Sequence, residues 1–185
     1  MVFDFLQPIS ESFEKYLQTL SNQSLGKKVV FHTQTDFPIL EGVSIAIFTV
    51  NEHRGNDKDN EDYSFEVFRK KFYGMFPGNW NTSIVDLGTI EAGASIEDTY
   101  FVVKSLMAEL IKKQIIPVVI GGTQDLTYPM YRAYDNLDQM VNLVSVDNQF
   151  DFSKENKFDK DAYLSKIIVE EPNNLFNFSN LGFQT

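Results

Sequence analysis

Pro117-Val-Val-Ile-Gly-Gly-Thr-Gln-Asp-Leu-Thr-Tyr128 is the stretch on which the fold turns, and Val141-Asn-Leu-Val-Ser-Val-Asp-Asn-Gln-Phe-Asp151 is its counterpart further along the chain. Each is a short run rich in β-branched residues that stops at a polar loop. Such runs are too short for helices and read as strands, as does the nearly all-apolar Val43–Val50, which is expected to be buried on both faces. Ligands of a parallel sheet bind outside the carboxyl ends of its strands, and both loops sit at such ends. Paired glycines at Gly121 and Gly122 let the backbone turn sharply and approach a ligand closely. The Asp-x-x-x-Asp spacing of Asp147 and Asp151 can aim two carboxylates into one crevice.

Outward from these motifs, short apolar runs alternate with segments of helical period, the pattern of parallel β/α units. Val43–Val50, Ser83–Leu87, Ile115–Ile120 and Val141–Val146 read as strands, with a fifth possible at Leu175–Phe178 and an edge strand within Lys27–Thr35. Phe65, Phe68, Phe72 and Met75 recur at helical spacing, and Pro77-Gly78 stops that helix. Ser95 with Asp98 opens another in the manner of a capping box. Its residues Val103, Leu106, Met107 and Leu110 share one side, leaving Lys104, Glu109 and Lys112 for water. Gln124–Tyr134 reads as a third helix. The expected fold is therefore α/β, three layers with a mostly parallel sheet between helices, in one domain spanning residues 1–185. The terminal Asn180-Leu-Gly-Phe-Gln-Thr185 looks like the interior of an element, so an incomplete product is expected.

Composition narrows the function. The chain has 185 residues, no cysteine and a formal net charge of −10 from 16 basic and 26 acidic side chains. Phosphate backbones and anionic membrane surfaces are repelled on average, so neither nucleic acid nor membrane is an expected partner. No disulfide, thiolate site or cysteine nucleophile is available, which suits a reducing compartment. No signal-peptide pattern opens the chain and its longest apolar runs fall well short of a bilayer span, so the expected location is the cytoplasm. His32 reads as an edge residue and His53 as a loop residue, neither in a metal-spacing motif. Asp57, Asp59 and Glu61 alternate in the loop Asn51–Asp62, but that loop lacks the glycine and terminal glutamate of a calcium loop and reads as a solvated acidic surface.

The two strand-end motifs also resemble those of a known family. A strand ending in Gly-Gly-x-His, then one ending in Asp-Ala-His-x-Asp, is the signature of the arginase, agmatinase and formimidoylglutamase (ureohydrolase) group. Gly121-Gly122-Thr123-Gln124 is similar to the first motif and Asp147-Asn148-Gln149-Phe150-Asp151 to the second. Phe65-Glu-Val-Phe-Arg69 resembles the family's Ile-Arg helix, and Asp86-Leu-Gly88 its Asp-x-Gly. The resemblance covers about Val43 to Asp151. It implies an arginase-like fold and two manganese ions between the strand ends, whose bridging hydroxide attacks a guanidinium-like carbon. It also makes Gln124, Asp147, Gln149 and Asp151 the metal positions.

That set is degenerate. Both family histidines are glutamine here, at Gln124 and Gln149, and a carboxamide oxygen is a far weaker ligand for a transition metal than imidazole nitrogen. The family's later Asp-x-Asp has no counterpart in the chain. The expectation is no cofactor and no catalytic residue, with manganese bound only if the family site survives and a single hard ion as the other possibility. Plainer readings stand beside these: Gly121-Gly122-Thr123 turning the chain with Thr123 as N-cap, and Asp147 accepting hydrogen bonds from loop amides. The favoured function is a ureohydrolase-fold protein in a binding or assembly role. The alternative is a hydrolase of a linear amidine or guanidino C–N bond with an altered site. A third reading is an unrelated domain holding phosphate at the Gly121-Gly-Thr turn. Expected partners are a second copy or a missing C-terminal part, with a small-molecule ligand possible.

Overall fold

A computed structural model of the protein describes residues 2–55, 64–135, 137, 139–152 and 163–184. Its strands are β1 (Leu6–Gln7), β2 (Val30–Phe31), β3 (Ile45–Asn51), β4 (Ile84–Glu91), β5 (Ile116–Ile120), β6 (Val141–Val146) and β7 (Leu175–Leu181). Its helices are α1 (Glu11–Thr19), α2 (Phe65–Tyr73), α3 (Ile96–Lys112), α4 (Thr127–Arg132) and α5 (Tyr163–Val169).

The main sheet runs β1-β4-β3-β5, and β2 shares with β1 the edge of β4 away from β3. β3 pairs in parallel with β4 on one side and β5 on the other, while β1 alone is antiparallel. Alternation sorts the central strands between two helical layers. Ala46, Phe48, Val50, Val85 and Leu87 pack with Val103, Leu106 and Leu110 of α3. On the opposite face Phe13 of α1 and Tyr73 of α2 close over Phe31. The expected three-layer α/β arrangement is what forms.

Two expectations, for β6 and for α2, need correction. β6 has its predicted bounds and is parallel, but it pairs with β7 in a separate two-stranded sheet and not with the main one. Strand partners are chosen across the fold, which local residue pattern does not encode. In α2 the apolar stripe Phe65, Phe68, Phe72 and Met75 is not the buried one: Arg69 and Tyr73 are, and Met75 is 51% exposed. Arg69 is buried because Asp86 of β4 is there to meet it. Its Nε and Nη2 donate to the two carboxylate oxygens at 2.9 and 3.1 Å, and Nη2 also reaches the Gly88 carbonyl at 3.0 Å. Tyr73 Oη and the Gly88 amide complete the carboxylate's hydrogen bonds at 2.7 and 2.8 Å.

The capping box of α3 is present, with Ser95 Oγ accepting from the Asp98 amide at 3.2 Å and Asp98 accepting from the Ser95 amide at 2.8 Å. The segment expected as one helix from Gln124 is a 3-10 turn, Gln124–Leu126, followed by α4. Among the described residues no helix is long and apolar enough to cross a membrane.

Candidate functional site

β3, β5 and β6 all deliver polar residues at their carboxyl ends. β5 leaves through Gly121 and Gly122, whose φ angles of 84° and 75° lie in the left-handed region. A Cβ on Gly121 would stand 2.2 Å from the Phe65 ring, and one on Gly122 would stand 2.2 Å from Leu126 and 3.1 Å from the Glu52 carbonyl. The close approach that these glycines permit is therefore to protein: Phe65 on one side and the β3 exit on the other. The Thr123 amide fastens the turn by donating to the Glu52 carbonyl at 3.0 Å. Thr123 stands at the N-cap position, but its hydroxyl makes no capping hydrogen bond.

Glu52, just past β3, is fully buried and was not singled out from sequence. Its carboxylate accepts from Arg54 Nε at 2.9 Å, Arg54 Nη2 at 2.5 Å and Thr99 Oγ1 at 2.7 Å. Burial alone would raise its pKa; the hydrogen bonds from Arg54 and Thr99 outweigh that and hold it below the ordinary value. Arg54 Nη2 also donates to the carbonyls of Gly93 and Ser95 at 3.0 and 3.1 Å, tying the β3 exit to the start of α3. Asp125 is buried likewise and accepts from the Tyr100 hydroxyl, whose pKa rises through burial and then through this bond. Asp125 Oδ1 and Thr123 Oγ1 are buried without hydrogen-bond partners among the described residues. A carboxylate directly after a strand was the signal that could have found Glu52, as it found Asp147.

The four predicted positions separate into three environments. Gln124 and Asp147 meet: Gln124 Nε2 donates to Asp147 Oδ2. Asp147 Oδ1 accepts from the Gln149 amide at 3.0 Å. The Gln124 side chain, then the backbone amides of Gln149 and Asn148, hold the Asp147 carboxyl below its usual range. Gln149 thus contributes its main chain here, and its carbonyl accepts from Asn180 Nδ2 at 2.7 Å, fastening the loop to β7. Asp151 is only 4% exposed and is hydrogen-bonded to Tyr163 at the start of α5. The Tyr163 hydroxyl is pushed up to about 12, first by burial. Among the described residues no group of three or more His, Cys, Asp or Glu is arranged to hold a metal ion.

His53 Nε2 lies 3.1 Å from Asn51 Oδ1 and His32 Nδ1 lies 3.0 Å from the Leu87 carbonyl, a loop and an edge position as expected. Asp57, Asp59 and Glu61 lie outside the described residues.

Residues 66–176, more than half of the chain, match the arginase family. No curated protein sequence matches. Among solved structures, the formiminoglutamase of Trypanosoma cruzi with Mn2+ is similar at a TM-score of 0.65 and 17% identity, over 80% of this chain and 58% of that one. Formimidoylglutamase from Bacillus subtilis is similar at 0.69 and 12%, over 92% of this chain and 58% of the other. Arginase from Medicago truncatula gives 0.65 and 13%, over 78% and 51%. At such identities the likeness is one of fold, and this chain spans little more than half the length of these structures.

Proposed function

The chain belongs to the arginase family, and from that premise we propose that it keeps the ureohydrolase fold for a binding or assembly role without hydrolysis at a dinuclear manganese centre. The observation that carries this reading is the hydrogen bond from Gln124 to Asp147. A carboxylate accepting an N–H directs a lone pair at a donor hydrogen, where a metal ligand must direct it at a cation. The carboxamide nitrogen of Gln124 has no lone pair to give in place of an imidazole. Asp151 is engaged with Tyr163, away from the contact between Gln124 and Asp147, so the family positions do not converge on one centre. Two manganese ions do not fit this donor set.

Assembly is supported by the second sheet. β6 and β7 contain no charged residue, in a chain of net charge −10. That makes this sheet a surface on which two copies can meet with little like-charge repulsion. The absence of cysteine suits the cytoplasm as the site of action.

Titration calorimetry with Mn2+ on the chain and on its Gln124→His/Gln149→His variant tests the reading. The unaltered chain should bind Mn2+ only weakly, and the double variant should bind at least about tenfold more tightly, a gain of roughly 1.4 kcal/mol. Tight binding by the unaltered chain, together with turnover of a guanidino or formimino compound, would make it an altered-site hydrolase instead.

A further inference from the structure

A cavity of about 290 Å³ opens between α3, α4 and α5, built from residues other than those at the strand ends. Phe101 and Tyr128 give it aromatic surface, and Lys104, Arg132 and Lys166 bring one cation from each helix, against Glu97 as the one acidic lining residue. Among the lining residues alone, that reverses the sign of a chain with ten more acidic than basic side chains.

The carboxylates that pair with these cations, Asp135 and Glu170, do not line the cavity. Lys104 and Arg132 share one oxygen, Asp135 Oδ2, each at 3.1 Å. Arg132 Nη1 donates to the Pro172 carbonyl at 3.0 Å, while Nη2 makes no hydrogen bond among the described residues. The Arg132 side chain is only 12% exposed, and Nη2 is not among the buried atoms left without a partner, so this donor is accessible to a molecule entering from solvent. Among the described residues Lys104 makes one hydrogen bond, to Asp135, and keeps further donor capacity. The Lys166 ammonium lies 4.0 Å from the Tyr128 ring centroid and 3.6 Å from Glu170. Desolvation lowers its pKa, a cost that a bound anion would relieve.

We propose that this cavity is a binding site for a small organic anion, a carboxylate or phosphate group carried on a flat apolar body. The charged group meets Arg132, Lys104 and Lys166, and the apolar body lies against Phe101 and Tyr128. Its size is at the low end for small-molecule sites, which favours a compact ligand.

Phenyl phosphate is the first probe, followed by backbone amide shifts in an NMR titration of the full chain. Saturable shifts confined to α3, α4 and α5 are expected, with a dissociation constant of about 1 mM or below. Benzoate in place of phenyl phosphate tells which charged group the site prefers, and benzyl alcohol should not bind. Arg132→Gln should weaken phenyl phosphate at least about tenfold. Should that variant fold poorly, Lys104→Gln, at a side chain 40% exposed, gives the same readout more mildly. Phe101→Ala, at a residue 67% exposed, should weaken phenyl phosphate and leave inorganic phosphate unchanged. Shifts that do not saturate, benzyl alcohol binding as well as phenyl phosphate, or variants with unaltered affinity would overturn the proposal.

Discussion

The contact between Gln124 and Asp147 sets the local chemistry of the candidate site, and it has a titration signature. Because Gln124 is the largest cause holding the Asp147 carboxyl low, Gln124→Leu should move that pKa back up toward the ordinary aspartate value. Carbon-detected NMR of the side-chain carboxyl reads this directly, and an unmoved pKa would mean that the bond does not form in solution. The sign of the accompanying stability effect is fixed. A carboxyl depressed in the folded state contributes stability above its unfolded pKa and loses it as pH falls through the folded one. The acid limb of the unaltered chain should therefore be steeper than that of the variant. Gln124 and Asp147 were legible together because both follow strands at the same end of the fold. The burial of Asp151 was not, since spacing within a loop does not say which way a side chain turns. Glu52 and Asp125 were missed because charged residues rarely lie fully buried unless paired, and although Arg54 stands two residues from Glu52, the partners Thr99 and Tyr100 come from α3.

At the scale of elements, α2 is held to β4 by a charge pair as well as by apolar packing. Arg69 and Asp86 are both buried and their hydrogen bonds are satisfied by Tyr73, Thr49, Thr89 and Gly88. Removing one partner leaves the other charged in a dry setting, so Arg69→Met should cost roughly 3–5 kcal/mol in urea unfolding. A loss under about 1 kcal/mol would mean that water reaches Asp86. The four main strands were legible because runs such as Val118-Val-Ile120 and Ile45-Ala-Ile-Phe48 leave no polar face to expose. α1 was not, because Phe13, Tyr16 and Leu17 are too few for a clear stripe and the Ser10 cap lacks a Glu or Gln partner three residues on. α5 was hidden by Ile167-Ile-Val169, a β-branched run that reads as strand and is helical because Leu164 and Ile167 find Tyr131 to pack on. The stripe of α2 misled for a related reason: periodicity counts apolar residues, and the buried side chains there are an arginine and a tyrosine that both bond to Asp86.

The molecule is three layers around β4-β3-β5, with the β6–β7 pair in a sheet of its own that the described residues cover on one face. Leu143, Leu175 and Phe178 pack toward α5, while Val144, Val146 and Phe176 are 58%, 82% and 72% exposed. Parallel strands are ordinarily covered on both faces, and apolar surface of this kind drives association. Self-association through this sheet is the expected outcome, seen by light scattering at micromolar concentration, and Val146→Lys with Phe176→Lys should return the chain to a monomer. A cooperatively melting monomer without those changes would contradict it. The claim on which the functional account rests is the loss of the two-manganese site within a retained family fold. Dialysis of the purified chain against Mn2+, removal of free metal and elemental analysis test it most directly. The account predicts well under one manganese per chain, and two tightly held ions per chain would contradict it.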